Sequence, residues 1–158
     1  MRKLFLVLPF ILLFFTHAFG QVFEISPPNL NFGSVTVGSD SILQVIVNNT
    51  DTSDLVISNI TSSNTQFTFS PNTFPITILA GNNQVFDITF TPSAVGLNLD
   101  SLVFTHNASG SPTSYSIQGT GVTPDFAITP PNLNFGSVVL GSNAILQATV
   151  NNPGTSDL

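Results

Sequence analysis

The stretch Pro27-Pro28-Asn29-Leu30-Asn31-Phe32-Gly33-Ser34-Val35 returns letter for letter as Pro130 to Val138. Aligned from Phe23 and Phe126, the two copies agree at 23 of 33 positions, with an offset of 103 residues. An internal repeat with this offset indicates a chain built from modules of about 100 residues.

The repeated stretch has the pattern of a strand that changes sheets. Its two prolines cannot donate to a ladder, so they belong at an edge or a break. Leu30 and Phe32 then alternate with Asn29 and Asn31, which is the period of a half-buried strand. Gly33 permits a bulge before Val35 resumes the alternation. We expect an edge strand that opens a β-sandwich.

Residues 1–20 have the features of a secretory signal peptide. Arg2 and Lys3 form a short positive region, and the run from Leu4 to Phe15 is apolar apart from Pro9. Ala18-Phe19-Gly20 then supplies the small-residue pattern of a cleavage site. A retained transmembrane helix would need about 20 apolar residues, and this run is shorter. We expect cleavage after Gly20 and no stable membrane span afterwards.

Without residues 1–20 the chain has no lysine or arginine, and its eight acidic residues give a formal charge of −8. Nothing remains to neutralise phosphates, which excludes nucleic acid and anionic membrane surfaces as partners. Cysteine is absent, so the fold must rely on its core rather than on disulfides, and lipid modification of a cysteine is excluded.

From Gln21 onward, short runs of β-branched and aromatic residues alternate with clusters of turn residues, the pattern of an all-β sandwich. Strands are predicted at 41–48, 55–60, 66–70, 74–79, 85–91, 97–105 and 114–121. We expect a hairpin-type turn at Ala80 to Asn83 and a bulge near Asp100, since Leu97 and Leu99 differ in parity from Leu102 and Phe104. The side chains predicted to point inward are Leu43, Val45, Val47, Leu55, Ile57, Phe86, Ile88, Phe90, Tyr115 and Ile117.

The predicted organisation is a signal peptide over 1–20, a first sandwich over 21–122, and the truncated start of a second over 123–158. Leu158 matches Leu55, near the start of the third predicted strand. Because two or three strands cannot bury a two-sheet core, we expect the chain to be a fragment of a longer repetitive protein. The alternative is a frayed natural tail.

The order of motifs resembles a known family of immunoglobulin-like modules, called choice-of-anchor D in bacteria and ASH or Hydin-like in ciliary proteins. The first copy reads Pro-x-x-Leu-x-Phe-Gly-Ser-Val-x-x-Gly, then Val-Asn-Asn, Thr-Ser-Asp-Leu-x-Ile, Phe-Thr-Pro-x-x-x-Gly and Gly-Thr-Gly. The matching residues are Leu30, Phe32, Gly33, Val35, Gly38, Asn48, Asp54, Leu55, Ile57, Phe90, Thr91, Pro92, Gly96, Gly119 and Gly121.

This resemblance implies an antiparallel sandwich of seven to eight strands, used as a repeated, non-enzymatic module in secreted or surface proteins. The ciliary branch is intracellular, so the signal peptide favours the bacterial branch and a place outside the cell, at the bacterial surface or in the periplasm. Neighbouring repeats of the same chain are the implied partners, with an extracellular protein or glycan left open. Modules of this family bring no catalytic residues.

The titratable residues offer little chemistry of their own. His106 and Asp100 could form half of an acid–base pair, but a triad needs a nucleophile and a zinc site needs three or four ligands. We expect His106 to be a solvated residue at a strand end. Asp51 and Asp54 could suggest calcium, but Asp51 becomes Gly154 in the second copy and only Asp157 repeats. We expect turn capping.

Three glycosylation sequons begin at Asn48, Asn59 and Asn107, and an Asn-rich, Ser-rich and Thr-rich chain produces such sequons by chance. The sequence therefore predicts no catalytic, cofactor-binding or metal-binding residues. The leading interpretation is a structural spacer or adhesion module. The alternative is an accessory domain of a larger secreted enzyme. A pilus-type chaperone is rejected, because such proteins hold a peptide carboxylate with basic side chains.

Overall fold

The structure is a computed structural model and describes residues 21–158, so the predicted signal peptide lies outside the described residues. Residues 21–122 form a sandwich of two sheets. Its strands are β1 (Glu24–Ser26), β2 (Leu30–Thr36), β3 (Ser41–Asn48), β4 (Leu55–Thr61), β5 (Phe67–Ser70), β6 (Ile76–Ile78), β7 (Asn83–Phe90), β8 (Gly96–His106) and β9 (Thr113–Val122). With β1 and β2 counted as two halves of one strand, the sandwich has eight strands, and the predicted all-β class is confirmed.

The first strand changes sheets as the sequence predicted. β1 pairs with β3 at the edge of a four-stranded sheet of order β1-β3-β7-β5. After Pro27 and Pro28 break the ladder, β2 pairs in parallel with β9 at the edge of a five-stranded sheet of order β2-β9-β8-β4-β6. Gly33, at φ 64°, lies at the register shift of that pairing, so the predicted bulge is confirmed.

The core lies between the two sheets and is closed by aromatic packing. Phe67 stacks on Phe90 with ring centroids 4.7 Å apart, and Phe86 meets Phe104 edge to face at 5.9 Å. Of the side chains predicted to point inward, Leu43 is partly buried against the core. The others are buried: Val45, Val47, Leu55, Ile57, Phe86, Ile88, Phe90, Tyr115 and Ile117.

The predicted bulge near Asp100 is wrong. β8 and β9 pair without a register shift from Gly96 opposite Gly121 to Phe104 opposite Thr113. Leu97 and Leu99 are 63% exposed on the outer face, so the strand keeps one parity throughout. The inner positions at this end of β8 are Asn98 and Asp100, because a polar loop rather than apolar core closes the sandwich there.

Two further sequence-based predictions need correction. The strand predicted at 74–79 is shorter, Ile76–Ile78, because Pro75 has no N–H with which to extend the ladder. The turn at Ala80 to Asn83 is closed by an Asn82 N–H to Leu79 carbonyl bond of 3.0 Å, but it is not a hairpin. It crosses between sheets, since β6 pairs with β4 and β7 pairs with β3.

The second copy repeats the first local features of the sandwich. β10 (Ala127–Thr129) pairs with β11 (Thr149–Asn151) in the register that β1 makes with β3, shifted by 103 residues. The Gly136 amide donates to the Asn134 side-chain oxygen at 2.9 Å, as the Gly33 amide donates to that of Asn31. Residues 132–148 lie outside any strand. The hydrogen bond between the Asn side chain and the Gly amide therefore forms locally and needs no neighbouring strand.

Candidate functional site

A groove of about 870 Å³ opens on the face of the five-stranded sheet that points away from the core. It lies across β2, β9 and β8 and is bounded by the loop after β4. Its lining mixes hydroxyl and amide groups with apolar side chains, among them Leu99 and Val103. The lining residues are Asn29, Leu30, Thr61, Ser62, Ser63, Leu99, Asp100, Ser101, Val103, Ser116, Ile117 and Gln118. Asp100 is the one ionisable residue among them, and its side chain lies on the inner side of β8, towards the loop after β4.

The carboxylate of Asp100 is held by the loop after β4. Its oxygens accept hydrogen bonds from the hydroxyls of Ser62 at 2.5 Å and Ser63 at 2.6 Å, and from the Asn64 amide at 3.2 Å. Burial alone would raise its pKa, but these hydrogen bonds to the charged form outweigh burial and lower the pKa. With its oxygens already engaged, Asp100 fastens the loop to β8.

His106 is buried rather than solvated, which corrects the sequence prediction. Only 6% of its surface is exposed, and its ring stacks on Phe23 with centroids 4.2 Å apart. Nδ1 accepts from the Ala108 amide at 3.2 Å, so Nε2 carries the proton and donates to Thr113 Oγ1 at 2.9 Å. Burial lowers its pKa and favours the neutral ring.

The structure does not bring His106 and Asp100 together. They lie six residues apart on one strand, a separation of about 20 Å at the rise of an extended chain. Each is held by different neighbours, Asp100 by the loop after β4 and His106 by residues 108 to 113. An acid–base pair of these two residues is therefore ruled out.

Asp51 caps its own turn, as predicted, whereas Asp54 bonds to the turn that follows β6. Asp51 accepts the Thr52 amide at 2.7 Å, and Asp54 accepts the Ala80 amide at 3.2 Å. Across residues 21–158, no three side chains of the metal-binding types gather as a cation site.

Asn49 is a structural residue that the sequence reading missed. Its side chain is 1% exposed, and Nδ2 donates to the carbonyls of Ser53 and Ile78, both at 2.8 Å. The two bonds join the turn after β3 to the end of β6. The signal was the repeated Val-Asn-Asn, since Asn152 makes the matching bond to the Ser156 carbonyl in the second copy.

The sequon residues are placed differently from one another. Asn107 is committed to the backbone, because its oxygen accepts the Val56 amide at 2.8 Å and its nitrogen donates to the Asp54 carbonyl at 3.1 Å. Asn48 is half-buried and paired with Asn83 in the ladder between β3 and β7, whereas Asn59 is exposed on β4.

A second contact region lies between the linker that follows the first copy and a turn of the second copy. The segment Thr123 to Asp125 lies against the turn from Asn152 to Ser156, and the Thr155 amide donates to the Thr123 carbonyl at 2.8 Å. We call these two segments together the joint. A shallow cleft of about 440 Å³ beside it is lined by Ser34, Thr36 and Val122 of the first copy and by Thr155, Ser156 and Asp157 of the second.

Together these features define an all-β, immunoglobulin-like module. The side chains of Asp100, His106, Asp54 and Asn49 have structural roles in it. In residues 21–158 no helix is both long and apolar enough to span a membrane. The family model described as HYDIN/CFA65/VesB-like, Ig-like domain matches residues 21–120. The chain belongs to this family of immunoglobulin-like domains, and the predicted resemblance to ASH or Hydin-like modules is confirmed. It is therefore classed as a structural or interaction module.

Solved structures show the same fold at low sequence identity. The ASH/PapD-like domain of human CEP192 (PapD-like domain 7) is 16% identical, with a TM-score of 0.59, over 79% of this chain and 99% of that one. A protein of unknown function from Porphyromonas gingivalis W83 is 17% identical, with a TM-score of 0.56, over 63% of this chain and 46% of that one. A search of curated protein sequences found no match.

Proposed function

We propose that the chain supplies non-catalytic, immunoglobulin-like modules to a protein outside the cell, where they act as spacers and contact surfaces. The observation that carries this proposal is the duplication itself. The pairing of β1 with β3 recurs as that of β10 with β11, 103 residues later, and the short linker that leaves the first copy is hydrogen-bonded to a turn of the second copy. Tandem modules that contact their neighbours are a common way to build extended structures.

The side-chain chemistry supports a role without catalysis. The buried imidazole of His106 is held in one tautomer by Ala108 and Thr113. Asp100 is engaged by two hydroxyls and an amide. A general acid or base must be free to exchange a proton with a bound substrate, and neither group is. The groove beside Asp100 offers hydrogen-bonding groups for a contact surface instead.

The charge of the chain supports a place away from polyanions, and its first 20 residues support a place outside the cell. Beyond residue 20 the sequence has eight acidic residues and no lysine or arginine. An acidic surface of this kind is repelled by nucleic acid and by anionic lipid. The first 20 residues carry the features of a secretory signal. Neighbouring modules of the same chain are the partners that the joint supports.

The proposed location is tested by expressing the full chain in a Gram-negative bacterial host, followed by fractionation and mass spectrometry of the mature protein. We expect export, with an N-terminus at Gln21. Leu12→Arg interrupts the apolar run and is the matched control, which should stay in the cytosol with Met1 or Arg2 at its start. Cytosolic retention of the unaltered chain would remove the extracellular role.

A further inference from the structure

We propose that the joint fixes the orientation of one module on the next, and that the residue at position 154 decides whether a module can be joined this way. The inference rests on the proposed function as a tandem spacer and specifies how its modules connect. It identifies an interaction surface, the turn from Asn152 to Ser156, and its partner, the chain segment that leaves the preceding module.

Three hydrogen bonds hold the linker to the turn. The Thr155 amide donates to the Thr123 carbonyl at 2.8 Å, and the Thr123 amide donates to Thr155 Oγ1 at 3.1 Å. The Asp125 amide donates to the Asn152 side-chain oxygen at 3.1 Å. The backbone of the linker is thus bound to residues about thirty positions later in the chain. In a flexible linker these backbone N–H and C=O groups would be hydrogen-bonded to water instead.

Gly154 makes the close approach possible. A Cβ atom at this position would collide with the amide nitrogen of Asp125 and the carbonyl oxygen of Thr123, and would lie 2.7 Å from the carbonyl carbon of Pro124. All three atoms belong to the backbone, so no side-chain rotation could relieve the overlap. Glycine is required here by space, since Gly154 is not among the glycines with positive φ.

The first copy carries a different residue at the same place. Position 154 corresponds to Asp51, and the two turns are otherwise built alike, with Asn49 bonded to the Ser53 carbonyl and Asn152 to the Ser156 carbonyl. The Cβ of Asp51 would occupy the path that Thr123 to Asp125 follow beside Gly154. The first copy therefore has no room for a linker on this path, whereas the second copy does.

The turn also reaches the first module. Thr155, Ser156 and Asp157 line one cleft with Ser34, Thr36 and Val122, which lie at the ends of β2 and β9. Because β9 ends at Val122 and the linker follows at once, little chain remains between the module and its hydrogen bonds to the turn. A linker that follows directly from β9 and is hydrogen-bonded to the second copy transmits orientation rather than acting as a hinge.

The joint is tested by measuring a distance across it in the full chain. The sequence has no cysteine, so Thr105→Cys on β8 and Thr149→Cys on β11, both exposed, give two unique sites for nitroxide labels. Pulsed electron paramagnetic resonance should show one narrow distance distribution. Gly154→Asp, which installs the first-copy residue, should broaden it. Asp51→Gly, the reciprocal change, should leave it narrow.

Amide hydrogen exchange separates loss of the joint from loss of folding. In Gly154→Asp, the Thr155 amide should exchange about five to ten times faster, as expected for one lost hydrogen bond, while amides of β3, β7 and β9 keep their protection. A broad distribution with Gly154 intact, a narrow one with Gly154→Asp, or broadening by Asp51→Gly would each overturn the proposal. None of these outcomes would bear on export, which is tested separately.

Discussion

The Tyr115 hydroxyl donates a hydrogen bond of 2.9 Å to the carbonyl of Pro27, 88 positions earlier in the chain. Tyr115 lies on β9, and Pro27 lies in the break between β1 and β2, so the bond fastens the sheet-changing corner to the last strand. The ring also meets Phe104 edge to face at 6.5 Å. One side chain thus links the start of the module, its core and its end.

This bond predicts an alkaline transition. Burial raises the pKa of Tyr115 to about 12, because it disfavours the phenolate. Its contribution to stability is therefore complete below about pH 10, the ordinary tyrosine pKa, and is lost as pH rises through about 12. Tyr115 is the only tyrosine and tryptophan is absent, so the ultraviolet band of the ionised phenol, which phenylalanine lacks, reports this residue alone.

We expect the folded chain to titrate near pH 12 and the urea-unfolded chain near pH 10. Tyr115→Phe should also lower the free energy of unfolding by about 1 kcal/mol at neutral pH, from the lost hydrogen bond. Ser116→Ala, at an exposed position of the same strand, is the control and should change little. Titration of the folded chain near pH 10 would contradict the burial of the hydroxyl.

Asn49→Ala should destabilise the first module by about 1–3 kcal/mol, because it leaves the buried Ile78 carbonyl without its donor. The repeat provides a matched control, Asn152→Ala, which removes the corresponding side chain from an exposed turn of the second copy. Urea denaturation is monitored by the near-ultraviolet circular dichroism of Tyr115, which lies in the first module and therefore reports the unfolding of that module. Equal effects of the two substitutions would show that Asn49 has no special role.

Phe90 and Gly119 pack against each other across the core. Phe90→Ala should cost about 3–5 kcal/mol, since the ring is fully buried against Phe67 and Phe32. Gly119→Ala should also destabilise, because the added Cβ would lie 2.5 Å from Phe90 Cδ1. Adding Phe90→Leu to Gly119→Ala should recover part of that loss. An unchanged melting temperature in Phe90→Ala would remove this residue from the core.

His106 predicts weakening of the fold in mild acid. Burial lowers its pKa in the folded state, so its stabilising contribution is complete above the ordinary value of about 6.5 and is lost as pH falls through the folded value. The urea midpoint should drop as pH falls below about 6.5, and His106→Gln should flatten this part of the dependence. Identical pH profiles for the two chains would show that the imidazole titrates freely.

Local pattern was sufficient for much of the fold. The strand at Ser41 to Asn48, the inward side of β7 and the kink at Gly33 all follow from side-chain alternation and backbone freedom, which act within a few residues. The second copy added independent information about which of these positions are apolar. Leu43 and Val47 stay apolar at Leu146 and Val150, while Ile46 becomes Thr149 on the opposite face.

The errors arose where distant residues decide the structure. Leu97 and Leu99 suggested a bulge, yet β8 stays regular because Ser62 and Gln66, more than thirty residues earlier, satisfy Asp100 and Asn98. The burial of His106 depends on Phe23, at the opposite end of the module. The joint depends on space beside Gly154, and periodicity carries no information about such a contact.

The proposed modular organisation, with a first module over 21–122 that folds independently of 123–158, is tested most directly by nuclear magnetic resonance. Amide spectra of chain 21–122 are compared with those of chain 21–158. If the first module is complete in itself, amides of β3, β7 and β8 keep their chemical shifts, and changes are confined to Ser34, Thr36 and Val122 beside the joint. Shift changes throughout the core, or a chain 21–122 that does not fold, would contradict it.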